Sequence, residues 1–318
     1  MMFLGLKSML VLRKRFPRPF WAVAAVFAAA CGGATPPAPI RDGAPAWSPD
    51  SRRLAFYAEV NGAPADLFTI GLDGTALTQL THTPGIAEGY PQFSPDGRRI
   101  AFESHTPDGN FDVYVMDVDG TNVRRVTAHP GRDVGPAWSP DGTRLVFMSD
   151  RDGPEFSLYA VEPDQASETV DGATREVRLT EGETDWFPQF APDGSRLAFH
   201  RWNDVHVLDV ATHAITRLTT DPDNGMYPTW SPDGTRLAFM SWRGGATAIY
   251  VMNADGSDQR QIVKMSVGSA IDPRWSPDGR HIAFVHVPEQ AATEAQAASQ
   301  SRHLYVAEVD TGAIRRVR

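Results

Sequence analysis

Acidic side chains recur at one position of a repeated motif, and these are the residues of the sequence most suited to chemistry. The chain contains six versions of a twelve-residue motif, which reads PAWSPDGTRLVF at 136–147. Three residues before the motif's first proline, four versions carry a carboxylate, and Asp272 adds an acid nearby. Carboxylates brought together would focus negative potential and attract a cation or a basic peptide. The four are Asp42, Glu88, Asp133 and Asp185, with Gly225 and Ala270 at this position in the other two versions.

Aromatic residues accompany these acids, among them Tyr90 and Phe187. Aromatic surface beside polar groups is typical of protein-binding sites, so we interpret the set as a candidate site for a protein or a basic peptide. The alternative is that each Asp caps its own loop by accepting hydrogen bonds from nearby backbone amides. The candidate binding residues are Asp42, Glu88, Asp133, Asp185, Trp186, Tyr227 and Asp272.

Known catalytic motifs are absent from the sequence. It has no G-x-S-x-G turn, no H-E-x-x-H, no glycine-rich phosphate loop and no pair of cysteines. Its nine histidines fall at different positions of the repeat. The acidic runs at 117–120 and 150–153 begin like calcium loops but lack the later ligands, so we expect hairpin turns there. We therefore expect no catalytic residue, no metal and no cofactor.

The repeat predicts the elements that would position the candidate site. The motif prolines begin at Pro45 and recur every 40–52 residues. Within the motif, SPDG predicts a tight turn between two short strands that are apolar on both faces. Two further strands follow, as in DVYVMDVDG (112–120) and NVRRVT (122–127). This period predicts an all-β fold, a six-bladed β-propeller of four-stranded antiparallel blades over 42–318, with the carboxylates at one mouth of its central channel.

Several details of the repeat carry their own expectations. We expect the motif aromatics Trp47, Phe93, Trp138, Phe190, Trp230 and Trp275 to be core residues between blades. Ser51 replaces the turn glycine, which costs roughly 1 kcal/mol if it adopts a left-handed conformation. Ala191 replaces the turn serine, which predicts a weaker turn in that blade as well. No strand is left over to lock the ring, so closure rests on packing between the first and last blades, unless 38–43 adds an edge strand.

Connections of variable length share one face of the predicted disc, opposite the uniform SPDG turns. The longest, 287–303, is rich in Ala, Gln and Glu and is expected to form a short helix or a linker. Variable loops on a rigid scaffold are a usual place for recognition.

The motif P-x-W-S-P-D-G-x-x-L-A-F, followed by a D-x-Y-V-M-D strand, resembles the WD-like propeller repeats of the TolB family, which also occur in prolyl oligopeptidase-type enzymes. The resemblance covers about 42–318 and implies a six-bladed propeller that binds proteins in the bacterial envelope. We expect neither the α/β domain that precedes the propeller in TolB-type proteins nor the hydrolase domain of the peptidases. The alternative function is a metal-dependent enzyme, lyase-like or hydrolase-like on oligosaccharides, with its site at the channel mouth.

The first thirty residues are typical of an export signal, because basic residues at 13–18 precede the apolar run 20–30. That run is too short for a membrane helix, which takes roughly twenty residues. Cys31 follows three alanines and resembles the acylated cysteine of bacterial lipoproteins, so we predict lipid attachment there. Secretion with simple cleavage is the alternative. Residues 31–41 would then form a Pro/Gly-rich tether, and the protein would be periplasmic or at the cell surface, bound to a membrane through its lipid.

The net charge narrows the choice of partners. It is −9 for the whole chain, and removing the five basic residues of the predicted signal would leave about −14. An acidic body is repelled by phosphate backbones, so we expect no nucleic-acid partner. The single cysteine excludes an internal disulfide. We expect a monomer that binds an envelope protein or a basic peptide.

Overall fold

The computed structural model describes residues 40–105, 109–165, 176–181, 183–220, 224–243, 245–288 and 300–318. These residues form twenty-four β-strands in six four-stranded antiparallel sheets, with a short 3₁₀ helix at Pro163–Gln165. The predicted six-bladed propeller is thereby confirmed. Within the described ranges, no helical segment combines the length and the hydrophobicity that crossing a bilayer requires.

Each blade takes its four strands in chain order. The first strands are β1 (Ile40–Trp47), β5 (Glu88–Phe93), β9 (Asp133–Trp138), β13 (Asp185–Phe190), β17 (Met226–Trp230) and β21 (Ser269–Trp275). The second strands are β2 (Arg53–Val60), β6 (Arg99–His105), β10 (Leu145–Ser149), β14 (Arg196–Arg201), β18 (Arg236–Ser241) and β22 (His281–Val287). The third strands are β3 (Asp66–Gly71), β7 (Phe111–Asp117), β11 (Ser157–Val161), β15 (Asp204–Asp209), β19 (Ala248–Asn253) and β23 (His303–Glu308). The outer strands are β4 (Thr78–Gln79), β8 (Arg124–Arg125), β12 (Val177–Arg178), β16 (Ile215–Arg217), β20 (Arg260–Val263) and β24 (Ile314–Arg316).

The first strands surround the propeller axis, because each contacts the first strand of the next blade and β21 contacts β1. Since neighbouring strands are antiparallel, the SPDG turns and the third-to-fourth turns lie on one face, which we call the turn face. The other face, the loop face, carries the links that enter the first strands and the second-to-third connections. Every residue that precedes a motif proline by three positions therefore lies near the loop face.

The SPDG turns follow the sequence prediction. The glycine of the turn has a positive φ, as in Gly142 at 70°, and Ser51 adopts the same conformation at 58°. The motif serine hydroxyl donates to the turn aspartate and accepts a later backbone amide. In the third blade, Ser139 donates to Asp141 at 2.5 Å and accepts from the Arg144 amide at 2.9 Å. Ala191 provides no such hydroxyl in the fourth blade.

The core lies between blades. Each motif aromatic packs against side chains of the preceding blade, as Trp138 does against Val113 and Val115. Five of the six motif aromatics are buried, and Phe190 is partly buried. The phenylalanine that ends each motif is completely buried, and these six are Phe56, Phe102, Phe147, Phe199, Phe239 and Phe284.

The closing junction between the last and first blades shares one hydrogen bond with the internal junctions and adds contacts of its own. At four internal junctions, the amide three residues before the motif proline donates to the carbonyl just before the third strand of the preceding blade, for example Asp185 to Phe156 at 2.8 Å. At the closing junction Asp42 donates to the Arg302 carbonyl at 3.2 Å. Trp47 and Phe56 pack there against Val285 and other residues of the last blade. The Arg302 amide also donates to the Ile40 carbonyl at 2.8 Å, which forms a parallel bridge between Arg41 and Arg302. Closure therefore rests on packing, on the repeated hydrogen bond and on this pairing by the start of β1.

Three sequence expectations fall wholly or mainly outside the described residues. These are the export signal 1–30, the lipid site at Cys31 with most of the tether, and the centre of the 287–303 connection. The first strand begins at Ile40, so it includes two residues that were assigned to the tether.

Candidate functional site

Two of the predicted carboxylates form buried ion pairs inside their own blades. Asp133 is completely buried, and both of its oxygens accept from Arg151 Nη2, at 2.8 and 2.9 Å. Asp185 is also completely buried and accepts from Arg201 Nε at 2.7 Å and Nη2 at 3.1 Å. Each arginine stands at or just beyond the end of the second strand, opposite the acid. These carboxylates therefore stabilise the loop-face end of the blade.

Asp42 and Glu88 are buried with different partners. Arg318 Nη1 lies 3.4 Å from Asp42 Oδ1, but no side chain among the described residues donates a hydrogen bond to either Asp42 oxygen. Burial raises the pKa of Asp42 to about 7, and the nearby arginines oppose this shift. Glu88 accepts from the Thr81 hydroxyl at 2.7 Å, and burial raises its pKa as well.

The four carboxylates are thus held separately, each by a partner of its own. For Asp42, Asp133 and Asp185 that partner is an arginine, rather than the backbone amides of the capping alternative. Among the described residues, no three His, Cys, Asp or Glu side chains come together as a metal site needs.

A second equivalent position brings residues together at the axis. The residue directly before each motif proline has a positive φ, between 45° and 63°, where the first strand departs from regular pairing. Such bulges re-aim side chains. The six residues are Ala44, Tyr90, Gly135, Phe187, Tyr227 and Asp272.

Three of these side chains meet inside the channel. The rings of Tyr90 and Phe187 are 4.8 Å apart between centroids, and those of Phe187 and Tyr227 are 4.4 Å apart. Tyr90 belongs to the second blade and Phe187 to the fourth, so their contact passes the third blade. Gly135 of the intervening third blade has no side chain to block it. We call Tyr57, Tyr90, Phe187 and Tyr227 the central aromatic cluster, with Tyr57 placed 6.1 Å from Tyr90.

Trp186 and His200 flank this cluster. Trp186 is half-buried and packs on Phe156 at a centroid distance of 4.6 Å. His200 lies 5.3 Å from Tyr227, and the Tyr227 amide donates to its Nδ1 at 3.3 Å. Burial lowers the pKa of His200 to about 3, so the ring is neutral.

Glu103 is the acid of this region that lacks a cationic partner among the described residues. It is 9% exposed, and its Oε2 accepts from the Gly135 amide at 2.8 Å. Its charge interacts with the phenols of Tyr57 and Tyr90. Burial raises the pKa of Glu103 to about 7. A carboxylate beside aromatic rings is suited to receive a cationic group.

The channel also contains Asp272 and Arg274 of the last blade. Burial raises the pKa of Asp272, Arg274 opposes this shift, and the Ala44 amide donates to the carboxylate. The structure therefore brings the predicted residues Tyr227 and Asp272 together, with Trp186 at the edge of the same cluster. Asp42, Glu88, Asp133 and Asp185 lie instead in four separate blades.

Sequence reasoning missed Glu103, His200 and Tyr57, although the repeat contains a signal for them. Each directly follows the last residue of its twelve-residue motif, at a position that varies from blade to blade. In the second strand this residue pairs with the bulged part of the first strand, as Glu103 does with Gly89. The six residues at this position are Tyr57, Glu103, Met148, His200, Met240 and Val285.

Comparison with known families supports the repeat assignment. Residues 167–313 match the model of the TolB beta propeller domain, and residues 66–174 match that of the tricorn protease N-terminal beta propeller domain. A search of curated proteins finds no match.

Solved structures of several activities share this fold. The structure of TolB from Acinetobacter baumannii is 25% identical, with a TM-score of 0.61 over 75% of this chain. The chain spans only 57% of that protein. The tricorn protease is 21% identical, with a TM-score of 0.64 over 89% of this chain and 26% of its own. An oligogalacturonate lyase in complex with manganese is 18% identical, with a TM-score of 0.60 over 89% of this chain and 79% of its own.

Proposed function

Since the chain is a TolB-like β-propeller, we propose that it is a non-catalytic protein of the bacterial envelope that binds a protein or peptide at the loop-side mouth of its channel. The observation that carries this proposal is Glu103, a carboxylate without a cationic partner among the described residues, beside the central aromatic cluster. Tyr57, Tyr90 and Tyr227 are half-buried. A basic side chain with a neighbouring apolar residue fits this surface.

The candidate residues divide into two roles in this proposal. Trp186 and Tyr227, with Glu103, form the contact surface. Asp133 and Asp185, bound to their arginines, hold the strand ends that present this surface, and Asp42 and Glu88 act likewise in their blades. Asp272 contributes from inside the channel.

Photo-cross-linking in the envelope tests this function. A cross-linking residue replaces Trp186 at the loop face, and a control replaces the exposed Thr143 at the turn face. We expect adducts to a defined partner from position 186 and none from 143. Adducts should be lost in Glu103→Gln and retained in Glu59→Gln, which changes an acid on the second strand of the first blade that pairs with Arg41. Equal adducts from both positions, or adducts indifferent to Glu103→Gln, would contradict the proposed site.

The pH dependence of binding provides a second test. Because the pKa of Glu103 is raised to about 7, this carboxyl gains its charge between pH 6 and 8. Affinity for a cationic partner should therefore rise over that range in the wild type. The rise should be absent in Glu103→Gln.

A metal-dependent enzyme is the competing hypothesis, and it predicts different properties. The purified protein would contain stoichiometric manganese, zinc or calcium, and chelation would abolish cleavage of an oligosaccharide. Elemental analysis of the mature protein distinguishes this hypothesis from ours, which predicts no bound metal in that ratio.

We further propose that Cys31 is acylated and anchors the propeller to a membrane through its tether. Labelled palmitate should be incorporated into the wild-type chain and not into Cys31→Ser. Secretion of an unlabelled wild-type chain would show that the signal is cleaved without lipid attachment.

A further inference from the structure

Arg274 is a buried cation in the channel that the proposed function does not use. Its side chain is on the first strand of the last blade and is 5% exposed. At this position, directly after the motif proline, the other five blades have neutral residues. These are Ala46, Gln92, Ala137, Gln189 and Thr229.

The guanidinium of Arg274 is only partly satisfied. Its Nη1 donates to the carbonyl of the preceding Pro273 at 3.0 Å, while its buried Nε has no acceptor in the described part of the chain. No ion pair within 4.0 Å joins it to a carboxylate among the described residues. Its charge interacts with Asp272 and with the phenols of Tyr90 and Tyr227. Because Tyr90 and Tyr227 come from different sides of the ring, the guanidinium faces the axis.

The bond from Nη1 leaves the Nε edge of the planar guanidinium available. This edge offers two parallel N–H groups, which match the two oxygens of a carboxylate. A buried guanidinium without a full set of acceptors is costly, and a bound anion would remove that cost. Nearby Asp272 adds negative charge, so a singly charged carboxylate fits better than a doubly charged phosphate.

Three channel residues of other blades are partly exposed. Gln92 and Gln189, at the equivalent position, and Tyr90 of the central aromatic cluster are half-buried rather than enclosed. Arg274 lies two residues closer to the SPDG turn of its blade than Asp272, which occupies the position of Tyr90 and Tyr227 in their blades.

We propose that Arg274 anchors a carboxylate-binding subsite inside the channel. The ligand is a monocarboxylate group, supplied either by the C-terminus of a peptide or by a small organic acid. This subsite does not require the loop-face contact at Glu103.

Calorimetric titration and thermal melts with three probes test the subsite. The probes are N-acetyl-trialanine with a free carboxylate, the same peptide as its C-terminal amide, and propionate. We expect the free-carboxylate peptide to bind and raise the Tm, and the amide to do neither. If propionate binds as well, the natural ligand is a small organic acid. If only the peptide binds, the natural ligand is the C-terminus of a peptide. Equal binding of the amide, or no binding of either carboxylate, overturns the proposal.

Variants of the same chain separate recognition from folding. Arg274→Gln should weaken binding of the carboxylate peptide at least tenfold in a protein that still folds, although it also removes the cation that opposes the raised pKa of Asp272. Arg274→Lys should bind the peptide more weakly than the wild type, since it keeps the positive charge but not the two parallel N–H groups. Arg280→Gln, an exposed change in the same blade, should bind normally. Unchanged binding in a folded Arg274→Gln protein, or a lowered Tm with binding intact, would assign Arg274 a structural role only.

A variant of the loop-face site distinguishes failure of the carboxylate subsite from failure of the proposed function. Glu103→Gln should leave binding of the carboxylate peptide unchanged while losing the envelope adducts.

Discussion

The hydroxyl of Ser51 accepts a hydrogen bond of 3.1 Å from the backbone amide of Asp278. This contact joins the SPDG turn of the first blade to that of the last. At other junctions the turn glycine sits beside the proline of the preceding turn, so that a Cβ on Gly97 would lie 3.5 Å from Pro49. The closing junction thus replaces a glycine–proline contact by a hydrogen bond, at the cost of a left-handed φ of 58° for Ser51.

Substitutions of Ser51 should separate the hydrogen bond from the backbone strain. Ser51→Ala keeps the positive φ and loses the bond, so the free energy of unfolding should fall by about 1 kcal/mol. Ser51→Gly loses the hydrogen bond but relieves a backbone strain of about 1 kcal/mol, so its free energy of unfolding should stay close to that of the wild type. Urea unfolding measures both variants. An alanine variant as stable as the glycine variant would show that the serine conformation carries no strain.

The repeat made the blades, the turns and the conformation of Ser51 predictable, because these depend on residues within one twelve-residue motif. The ion-pair partners of Asp133 and Asp185 were not predictable in the same way. Each meets an arginine of the second strand, and only the antiparallel register, such as Asp185 opposite Arg201, identifies that partner.

The central site depends on contacts that no single repeat specifies. Tyr90 meets Phe187 because Gly135, in the blade between them, leaves the axis open. The roles of Glu103 and His200 were not predictable for the same reason, because their neighbours come from other strands and other blades. Within the sequence of a single blade, such positions differ from the rest only in that they vary between repeats.

Restoring the motif serine in the fourth blade should stabilise the protein. Ala191 is completely buried, and Asp193 and the Arg196 amide occupy the positions that bind the serine hydroxyl in other blades. Ala191→Ser should therefore raise the free energy of unfolding by about 1 kcal/mol. Ser139→Ala is the matched reverse change and should lower it by a similar amount. If the two variants shift the urea midpoint in the same direction, the hydroxyl is not what stabilises these turns.

Glu103 should make the protein less stable as the pH rises through neutrality. Burial raises its pKa from 4.5 to about 7, so the folded state holds a proton between these values that the unfolded chain has lost. Where the folded state binds more protons, the free energy of unfolding falls with increasing pH. Glu103→Gln keeps an acceptor for the Gly135 amide but cannot ionise.

Urea unfolding at pH 5 and pH 8 measures this contribution. The loss of stability between the two pH values should be smaller in Glu103→Gln than in the wild type, by an amount on the order of 2 kcal/mol. Asp42 contributes with the same sign, because its pKa is also raised to about 7, so part of the pH dependence should remain. Glu59→Gln should lose as much stability between the two pH values as the wild type does. Parallel profiles for the wild type and Glu103→Gln would mean that Glu103 ionises as easily in the folded protein as in the unfolded chain.

Breaking a buried ion pair should destabilise the propeller far more than breaking an exposed one. Asp185→Ala leaves Arg201 at the loop-face end of its blade without its bidentate partner, and we expect a loss of about 3 kcal/mol. Asp164→Ala removes a carboxylate that accepts from Arg99 and Arg124 at 2.7 Å but is 66% exposed, so the loss should stay below about 1 kcal/mol. Urea unfolding of both variants gives the comparison. Similar losses would indicate that solvent reaches the Asp185 pair, and the acid would then be available to a ligand rather than committed to the blade.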